Sequence, residues 1–137
     1  MNLPDWAADL LEAPVARLAT VDSSGVPSLV PICFVVDGDL IWSAIDEKPK
    51  SGRPLQRLRN IAENPRVVML VDRYEDDWTR LAWVAIHGRA LVVNAAEHPE
   101  PLARLRAKYP QYRSMALEEH PLVRIEVETA VSWRAGG

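Results

Sequence analysis

Residues 16–44 read ARLATVDSSGVPSLVPICFVVDGDLIWSA, and most of three predicted strands lies within them. These strands are predicted at residues 15–21, 28–36 and 40–45. Asp22-Ser23-Ser24-Gly25 has the composition of a turn, and Asp37-Gly38 is a strong signal for a tight hairpin. Because such short turns join neighbouring strands that run antiparallel, this stretch predicts an antiparallel sheet.

Three more strands are predicted further along the chain, at residues 67–71, 81–93 and 123–127. The first of them, VVMLV, is apolar throughout, which predicts burial on both of its faces. Gly88 lies near the middle of the second and predicts a bulge or bend. Short helices are predicted near the N-terminus and at residues 99–109. Together these elements predict a mainly β fold, a six-stranded antiparallel barrel with short helices in one domain, residues 1–137.

Residues 48–66 form a basic segment that reads KPKSGRPLQRLRNIAENPR. The segment contains six of the sixteen lysines and arginines of the chain and one acid, although the whole chain carries a net charge of −3. Asn64-Pro65 is typical of a helix end. A short helix before it is predicted from apolar residues at helical spacing, namely Leu55, Leu58, Ile61 and Ala62.

The start of this helix has the composition of an anion-binding site. Arg53, Arg57 and Asn60 are spaced to share one helix face, and Lys48 and Lys50 precede them in a loop. Unpaired N–H groups, the helix dipole and arginine side chains together favour a phosphate or a carboxylate. The alternative interpretation is a solvated basic helix face without a ligand.

Composition narrows the classes of partner and the setting. A nucleic-acid-binding barrel is an alternative, but the sequence pI of about 5.6 and the lack of aromatic residues in the basic segment argue against it. No apolar run is long enough for a transmembrane helix, so no membrane partner is expected. The single cysteine, Cys33, excludes an internal disulfide and fits a cytoplasmic protein.

Isolated reactive residues give weaker signals. Cys33 is predicted to be a buried, inert thiol, because it lies within a strand without a basic neighbour. His87 is predicted to be a barrel histidine with satisfied hydrogen bonds, with proton donation to a substrate as the alternative. The spacing of His87, His98 and His120 does not match a metal-binding pattern, so no metal site is predicted.

The order of these features resembles the pyridoxamine 5′-phosphate oxidase-like split-barrel family of flavin and deazaflavin proteins. Residues 16–44 look like the first three strands of that family, with its recurring turn glycine and two prolines at Gly25, Pro27 and Pro31. Residues 57–71, RLRNIAENPRVVMLV, look like the family's short helix, helix end and buried strand.

The resemblance implies a set of cofactor-binding residues. Arg57, Ser43 and the loop lysines would surround a cofactor phosphate, while the backbone at Pro31 and Ile32 would face the ring system. Asn60 would mainly order the helix that carries Arg57. Trp83 lies on the strand with which a partner subunit would complete the site. Together with Arg53 from the start of the basic helix, the predicted cofactor-binding residues are Arg57, Lys50, Lys48, Ser43, Asn60, Pro31, Ile32 and Trp83.

Two further segments are most similar to a subfamily described as dependent on coenzyme F420, namely DEKPK at residues 46–50 and DRYEDDWTRLAWV at residues 72–84. This similarity implies a homodimeric oxidoreductase with F420 at the subunit interface, transferring a hydride to or from a small organic substrate. Surplus cations such as Lys48, Lys50 and Arg53 suit the acidic tail of F420. The alternatives are an FMN-dependent oxidoreductase of the same fold and a protein that binds flavin, deazaflavin or haem without turnover.

Overall fold

The chain forms seven β-strands and three α-helices within the part that the computed structural model describes, residues 1–45 and 55–137. In chain order these are α1 (Asp5–Leu10), β1 (Ala16–Val21), β2 (Pro27–Ile32), β3 (Val35–Asp37), β4 (Leu40–Ala44), α2 (Gln56–Glu63), β5 (Arg66–Arg73), β6 (Ala82–Asn94), α3 (Pro99–Lys108) and β7 (Pro121–Arg134). The strands pair antiparallel in one sheet of order β2-β1-β5-β6-β7-β4-β3. The predicted mainly β, antiparallel fold is confirmed.

The predicted number of six strands is wrong, because residues 28–36 form two strands rather than one. β2 pairs with β1, whereas β3 pairs with β4, so the two lie at opposite edges of the sheet. Cys33 and Phe34 connect β2 to β3 and belong to neither strand. Pro27 and Pro31 both lie on β2, an edge strand, which suits residues that have no N–H to donate.

The short connection between β2 and β3 makes the sheet curl. These strands are the two edges of the sheet, yet only Cys33 and Phe34 separate them in the chain. Three residue steps span roughly 10 Å at most, so the two edges must approach each other. The sheet therefore bends round into a split barrel.

Two apolar cores stabilise this arrangement. The larger one contains Leu18, Met69, Ile86 and Ile125, each at most 1% exposed, and burial of such a side chain contributes about 1.5–3 kcal/mol. The smaller one packs α3 against β3 and β4. It includes the following buried residues: Trp42, Leu102, Leu105, Tyr109 and Leu122. Leu102 and Leu105 thus lie on the inner face of α3, as the sequence predicts.

β5 is fully buried on one face only. Val67, Met69 and Val71 are buried, whereas Val68 and Leu70 between them are partly exposed. The prediction that this strand is buried on both faces is therefore wrong within one subunit. The uncovered positions are nevertheless apolar, which leaves an apolar stripe on the outside of the sheet.

The bulge predicted at Gly88 is present. The register between β6 and β7 shifts between His87 and Gly88. A Cβ atom at Gly88 would lie 2.3 Å from the carbonyl oxygen of Glu126, so only glycine fits this close approach. β7 continues to Arg134, seven residues beyond the predicted end at Val127.

α2 begins at Gln56 and ends at Glu63, directly before Asn64. The predicted helix end at Asn64-Pro65 is confirmed. Ile61 is buried and Leu55 and Leu58 are partly buried, whereas Ala62 is exposed. The predicted apolar face is thus narrower than its spacing suggests, because Ala62 points away from the barrel.

Candidate functional site

A cleft of about 240 Å³ lies where β1, β2, β4 and α2 meet. Its lining residues are Val15, Pro31, Ile32, Cys33, Ser43, Ala44, Arg57 and Tyr112. Four of the residues implied by the resemblance, which come from three separate elements, therefore line one cavity. Larger clefts exist on the described surface, but this one is singled out by the chemistry of its lining.

Arg57 lies in the first turn of α2, the most favourable place on a helix for an anion. No acidic residue occurs in this turn, and no side chain among residues 1–45 and 55–137 caps its backbone N–H groups. The helix dipole and the unpaired N–H groups add to the charge of the guanidinium. Arg57 is half-buried and makes no ion pair with any residue that the structure describes. This end of α2 can therefore accept a phosphate or a carboxylate.

Asn60 does not line the cleft but fixes the helix that carries Arg57. Its side chain is 1% exposed, and Nδ2 donates to Oγ1 of Thr20 at 2.9 Å and to Oγ of Ser28 at 3.3 Å. One turn later, the Glu63 carboxylate accepts from the backbone N–H of Ser23 at 3.0 Å. These contacts tie α2 to the β1–β2 hairpin. Asn60 thus holds α2 against the hairpin, while its role towards a cofactor stays a prediction.

Ser43 is 2% exposed, and its hydroxyl donates to the carbonyl oxygen of Cys33 at 2.7 Å. This hydrogen bond links β4 to the short connection between β2 and β3. For the hydroxyl to donate to a bound phosphate, it would have to give up the bond to Cys33.

The rest of the cleft offers mainly apolar surface. Ile32 and Ala44 are buried, whereas Pro31 and Val15 are exposed. An apolar wall next to a cation and hydroxyl groups suits a small molecule that has both an apolar surface and an anionic group. Ligand pockets usually enclose roughly 300–1,000 Å³. The described residues therefore enclose only part of such a ligand.

The structure does not gather all the implied residues at this cleft. Lys48, Lys50 and Arg53 lie outside the described residues. Trp83 lines a different, apolar cleft of about 350 Å³ on the outside of the sheet. There it belongs to a cross-strand patch, here named the outer apolar face, which consists of Leu70, Trp83, Ala85, Val131 and Trp133.

His87 and Cys33 differ from their predictions. His87 is predicted to be a barrel histidine with satisfied hydrogen bonds, but it is exposed and lines a groove on the outer side of the sheet with Val68 and Glu128. Its neighbours in the strand, Ile86 and Gly88, are buried, and successive strand residues face opposite sides of a sheet. The side chain of His87 therefore points away from the barrel interior. Cys33 is partly exposed and lines the cleft, because it belongs to the β2–β3 connection rather than to a strand.

The sequence itself assigns the chain to a family. Residues 3–134 match the family profile described as pyridoxamine 5′-phosphate oxidase. The chain belongs to this family. The match includes every residue that lines the cleft. Because it spans residues 3–134, it establishes the fold that the resemblance implies.

Solved structures with this fold are similar to the chain over nearly its whole length. An FAD-binding protein from Mesorhizobium loti is 19% identical with a TM-score of 0.71, covering 96% of this chain and 94% of that one. HutZ, the haem storage protein of Vibrio cholerae, is 17% identical with a TM-score of 0.73, covering 99% and 96%. An F420 reductase is 21% identical with a TM-score of 0.69, covering 94% and 98%. At such identities the likeness shows the shared fold. Comparison with curated protein sequences finds no match.

Sequence reasoning missed Tyr112 as a lining residue of this pyridoxamine 5′-phosphate oxidase family member. It lies in a 3₁₀ turn, Pro110–Ser114, more than fifty residues after Arg57. Arg106 fixes this turn: its guanidinium donates to the carbonyl of Tyr112 at 3.2 Å and pairs with Glu118. The same guanidinium holds the pKa of the Glu118 carboxyl at about 2. No local pattern in the sequence indicates that this turn reaches the cleft.

Nowhere in residues 1–45 and 55–137 do three His, Cys, Asp or Glu side chains come together as metal ligands. No helix in this part of the chain is long and apolar enough to cross a membrane.

Proposed function

We propose that the protein is an oxidoreductase that binds coenzyme F420 and transfers a hydride between this cofactor and a small organic molecule. The observation that carries the proposal is the cleft in which Arg57, Ser43, Pro31 and Ile32 meet. These residues come from distant parts of the chain, and they combine a cation, a hydroxyl and an apolar wall. Membership of the pyridoxamine 5′-phosphate oxidase family supports a flavin-type cofactor at this position.

Each lining residue has a physical role in this proposal. Arg57 would bind the cofactor phosphate through its planar guanidinium, which can donate two parallel hydrogen bonds. Pro31 and Ile32 would pack against the ring system and exclude water. A bound deazaflavin would itself supply the hydride chemistry. The protein therefore needs to supply position and a dry environment, and no catalytic side chain is assigned.

A second subunit is part of the proposal. The described residues of one chain enclose about 240 Å³, less than a ring-containing cofactor requires. Residues 46–54, which include Lys48 and Lys50, and a partner subunit would complete the site. The outer apolar face offers an uncovered surface for that partner. Trp83 lies on this face and would belong to the edge of the site that the second subunit completes. A reducing compartment such as the cytoplasm suits the partly exposed thiol of Cys33.

FMN is the alternative cofactor, because the cleft offers the phosphate and ring contacts that both molecules need. A binding protein without turnover is the second alternative. The likeness in fold to a haem storage protein favours it, as does the exposed His87, since an imidazole can bind haem iron. Oxidation of bound, reduced cofactor by an added acceptor would distinguish an enzyme from such a binder.

The proposal is tested by titrating the purified protein with F420, FMN and haem, and following tryptophan quenching and cofactor fluorescence. Arg57→Ala should weaken F420 binding about tenfold or more, because one charge-assisted contact contributes about 1.5–3 kcal/mol. Arg89→Ala is the matched control, since Arg89 is exposed on β6 and does not line the cleft.

Equal affinities of the wild type and Arg57→Ala would refute the phosphate assignment. Selective binding of FMN would keep the site and replace the cofactor. If haem alone binds, the storage alternative replaces the oxidoreductase. If none of the three binds, the cleft has another ligand.

A further inference from the structure

The hydroxyl of Tyr109 is a buried titratable group to which the proposed function gives no role. Tyr109 is 8% exposed and lies at the end of α3 in the smaller core. Its oxygen lies 2.9 Å from the backbone nitrogen of Phe34, 2.9 Å from the carbonyl oxygen of Pro14 and 3.1 Å from that of Phe34. One side chain thus contacts the backbone of two chain segments that are distant in sequence.

Both segments continue into the wall of the cleft. Pro14 precedes Val15, and Phe34 follows Cys33, and both Val15 and Cys33 are lining residues. The carbonyl oxygen of Cys33, in the same peptide group as the N–H of Phe34, accepts a hydrogen bond from the hydroxyl of Ser43. The cleft wall is therefore held by hydrogen bonds to its backbone from α3 and from β4.

The hydrogen bonds can be assigned so that every group has one partner. The ammonium of Lys108 donates to the carbonyl oxygen of Phe34 at 2.9 Å. The single proton of the Tyr109 hydroxyl is then available for Pro14, while its oxygen accepts the N–H of Phe34. Burial raises the pKa of Tyr109 to about 12, so this proton is retained at neutral pH. The hydroxyl can therefore act as a donor to Pro14 throughout the neutral pH range.

We infer that Tyr109 is a positioning residue for the cofactor cleft, whose hydroxyl holds Pro14 and Phe34 together and so fixes Val15 and Cys33 in the cleft wall. This inference rests on the proposed function for its ligand, but the geometry it describes belongs to the protein alone. Removing the hydroxyl leaves the ring packed in the smaller core and unpairs the buried N–H of Phe34 and the partly buried carbonyl of Pro14. The wall then loosens without loss of the fold.

Cys33 provides a test that needs no cofactor, because it is the only cysteine of the chain and lines the cleft. Its rate of alkylation by the neutral reagent N-ethylmaleimide is measured in the wild type, Tyr109→Phe and Val84→Ala. Val84 is buried in the larger core and does not line the cleft, so its variant controls for a general loss of stability. Tyr109→Phe should raise the rate about fivefold or more, and Val84→Ala should not.

The second readout is affinity for F420 and FMN in the same three proteins. Tyr109→Phe should weaken binding of whichever cofactor the wild type binds by about tenfold, with Val84→Ala close to the wild type. Faster alkylation without weaker binding would overturn the positioning role, as would unchanged alkylation. A wild type that binds neither cofactor would refute the proposed function, while alkylation would still test the contact made by Tyr109.

If Tyr109→Phe does not fold, amide hydrogen exchange of the wild type decides the matter. The N–H of Phe34 lies outside any strand ladder, so its protection depends on Tyr109. Exchange as slow as that of the β6 core amides supports the inference. Fast exchange of this amide overturns it.

Discussion

Asn60 shows how one buried amide can determine the placement of a functional side chain. Its Nδ2 donates to the hydroxyls of Thr20 and Ser28, and its Oδ1 accepts from Gln56 on the preceding helical turn. Arg57 lies on the same short helix, three residues away, so its position in the cleft depends on this anchor. Loss of the hydrogen bonds between Asn60 and the β1–β2 hairpin should therefore also displace Arg57 in the cleft.

Asn60→Ala should lower the free energy of unfolding by about 2 kcal/mol, because it leaves the Thr20 hydroxyl without its partner in a buried place. Urea denaturation measures the loss. Arg59→Ala is the control, since Arg59 is exposed on the same helix, and it should change stability by less than about 0.5 kcal/mol. Equal losses for the two variants would contradict the anchoring role.

For single residues, the sequence predicts the local helix position better than the long-range contacts that each side chain makes. The helical spacing around Arg57 and the helix end at Asn64 are local signals, and both describe α2 correctly. Asn60 and Thr20 are forty residues apart, and no periodicity links them. Tyr109 and Tyr112 reach the cleft region from still further along the chain. Such contacts follow from the folded path of the backbone, so local patterns could not reveal them.

Gly88 is the point at which two long strands are bent together. β6 and β7 change register beside it, and its Cα faces the carbonyl of Glu126 too closely for any side chain. Gly38, in the β3–β4 hairpin, is required for a different reason. Its φ of +60° favours glycine, while the space around it is open.

Gly88→Ala should cost about 3 kcal/mol or more of unfolding free energy, because a methyl group there meets backbone that cannot move aside. Gly38→Ala should cost only about 1–2 kcal/mol, the strain of the left-handed conformation without a clash. Guanidinium denaturation of both variants compares the two costs. A smaller loss at Gly88 than at Gly38 would show that the sheet can shift at the bulge.

At the scale of elements, hairpin signals and apolar runs identify β1, β4, β5 and β6. The division of residues 28–36 into β2 and β3 has no sequence signal, because Cys33 and Phe34 are themselves good strand residues. The second half of β7, from Glu128 to Arg134, has no fully buried residue, so no apolar run marks it as a core strand. It is a strand because β6 pairs with it.

The whole molecule presents the outer apolar face as an uncovered surface. Val131 is 50% exposed and Trp133 42% exposed, and Trp83 lies beside Trp133 on the adjacent strand. Uncovered apolar patches of this kind are typical of surfaces that bind another protein. The apolar but half-covered β5 adds Leu70 to the same surface. These features support the proposed homodimer.

Val131→Glu should therefore weaken dimerisation at least about tenfold, because a carboxylate would be buried without a partner at the subunit contact. Sedimentation velocity measures the dimer fraction over a range of concentrations. Leu91→Glu is the control: Leu91 is 51% exposed on the same strand pair, but beyond the bulge at Gly88. A wild type that sediments as a monomer would exclude the proposed partner, and an equal effect of both variants would place the contact elsewhere.

The pairing of β4 with β7 has a consequence for the order in which the protein forms as it is synthesised. Among the described strands, the β3–β4 hairpin joins the rest of the sheet through β7, whose residues 122–126 pair with β4. β1, β2, β5 and β6 can pair as soon as residue 94 has left the ribosome. Until residues 122–126 of β7 emerge, Ser43 has no neighbouring strand from the rest of the described sheet, so the cleft is assembled only after β1, β2, β5 and β6 can pair.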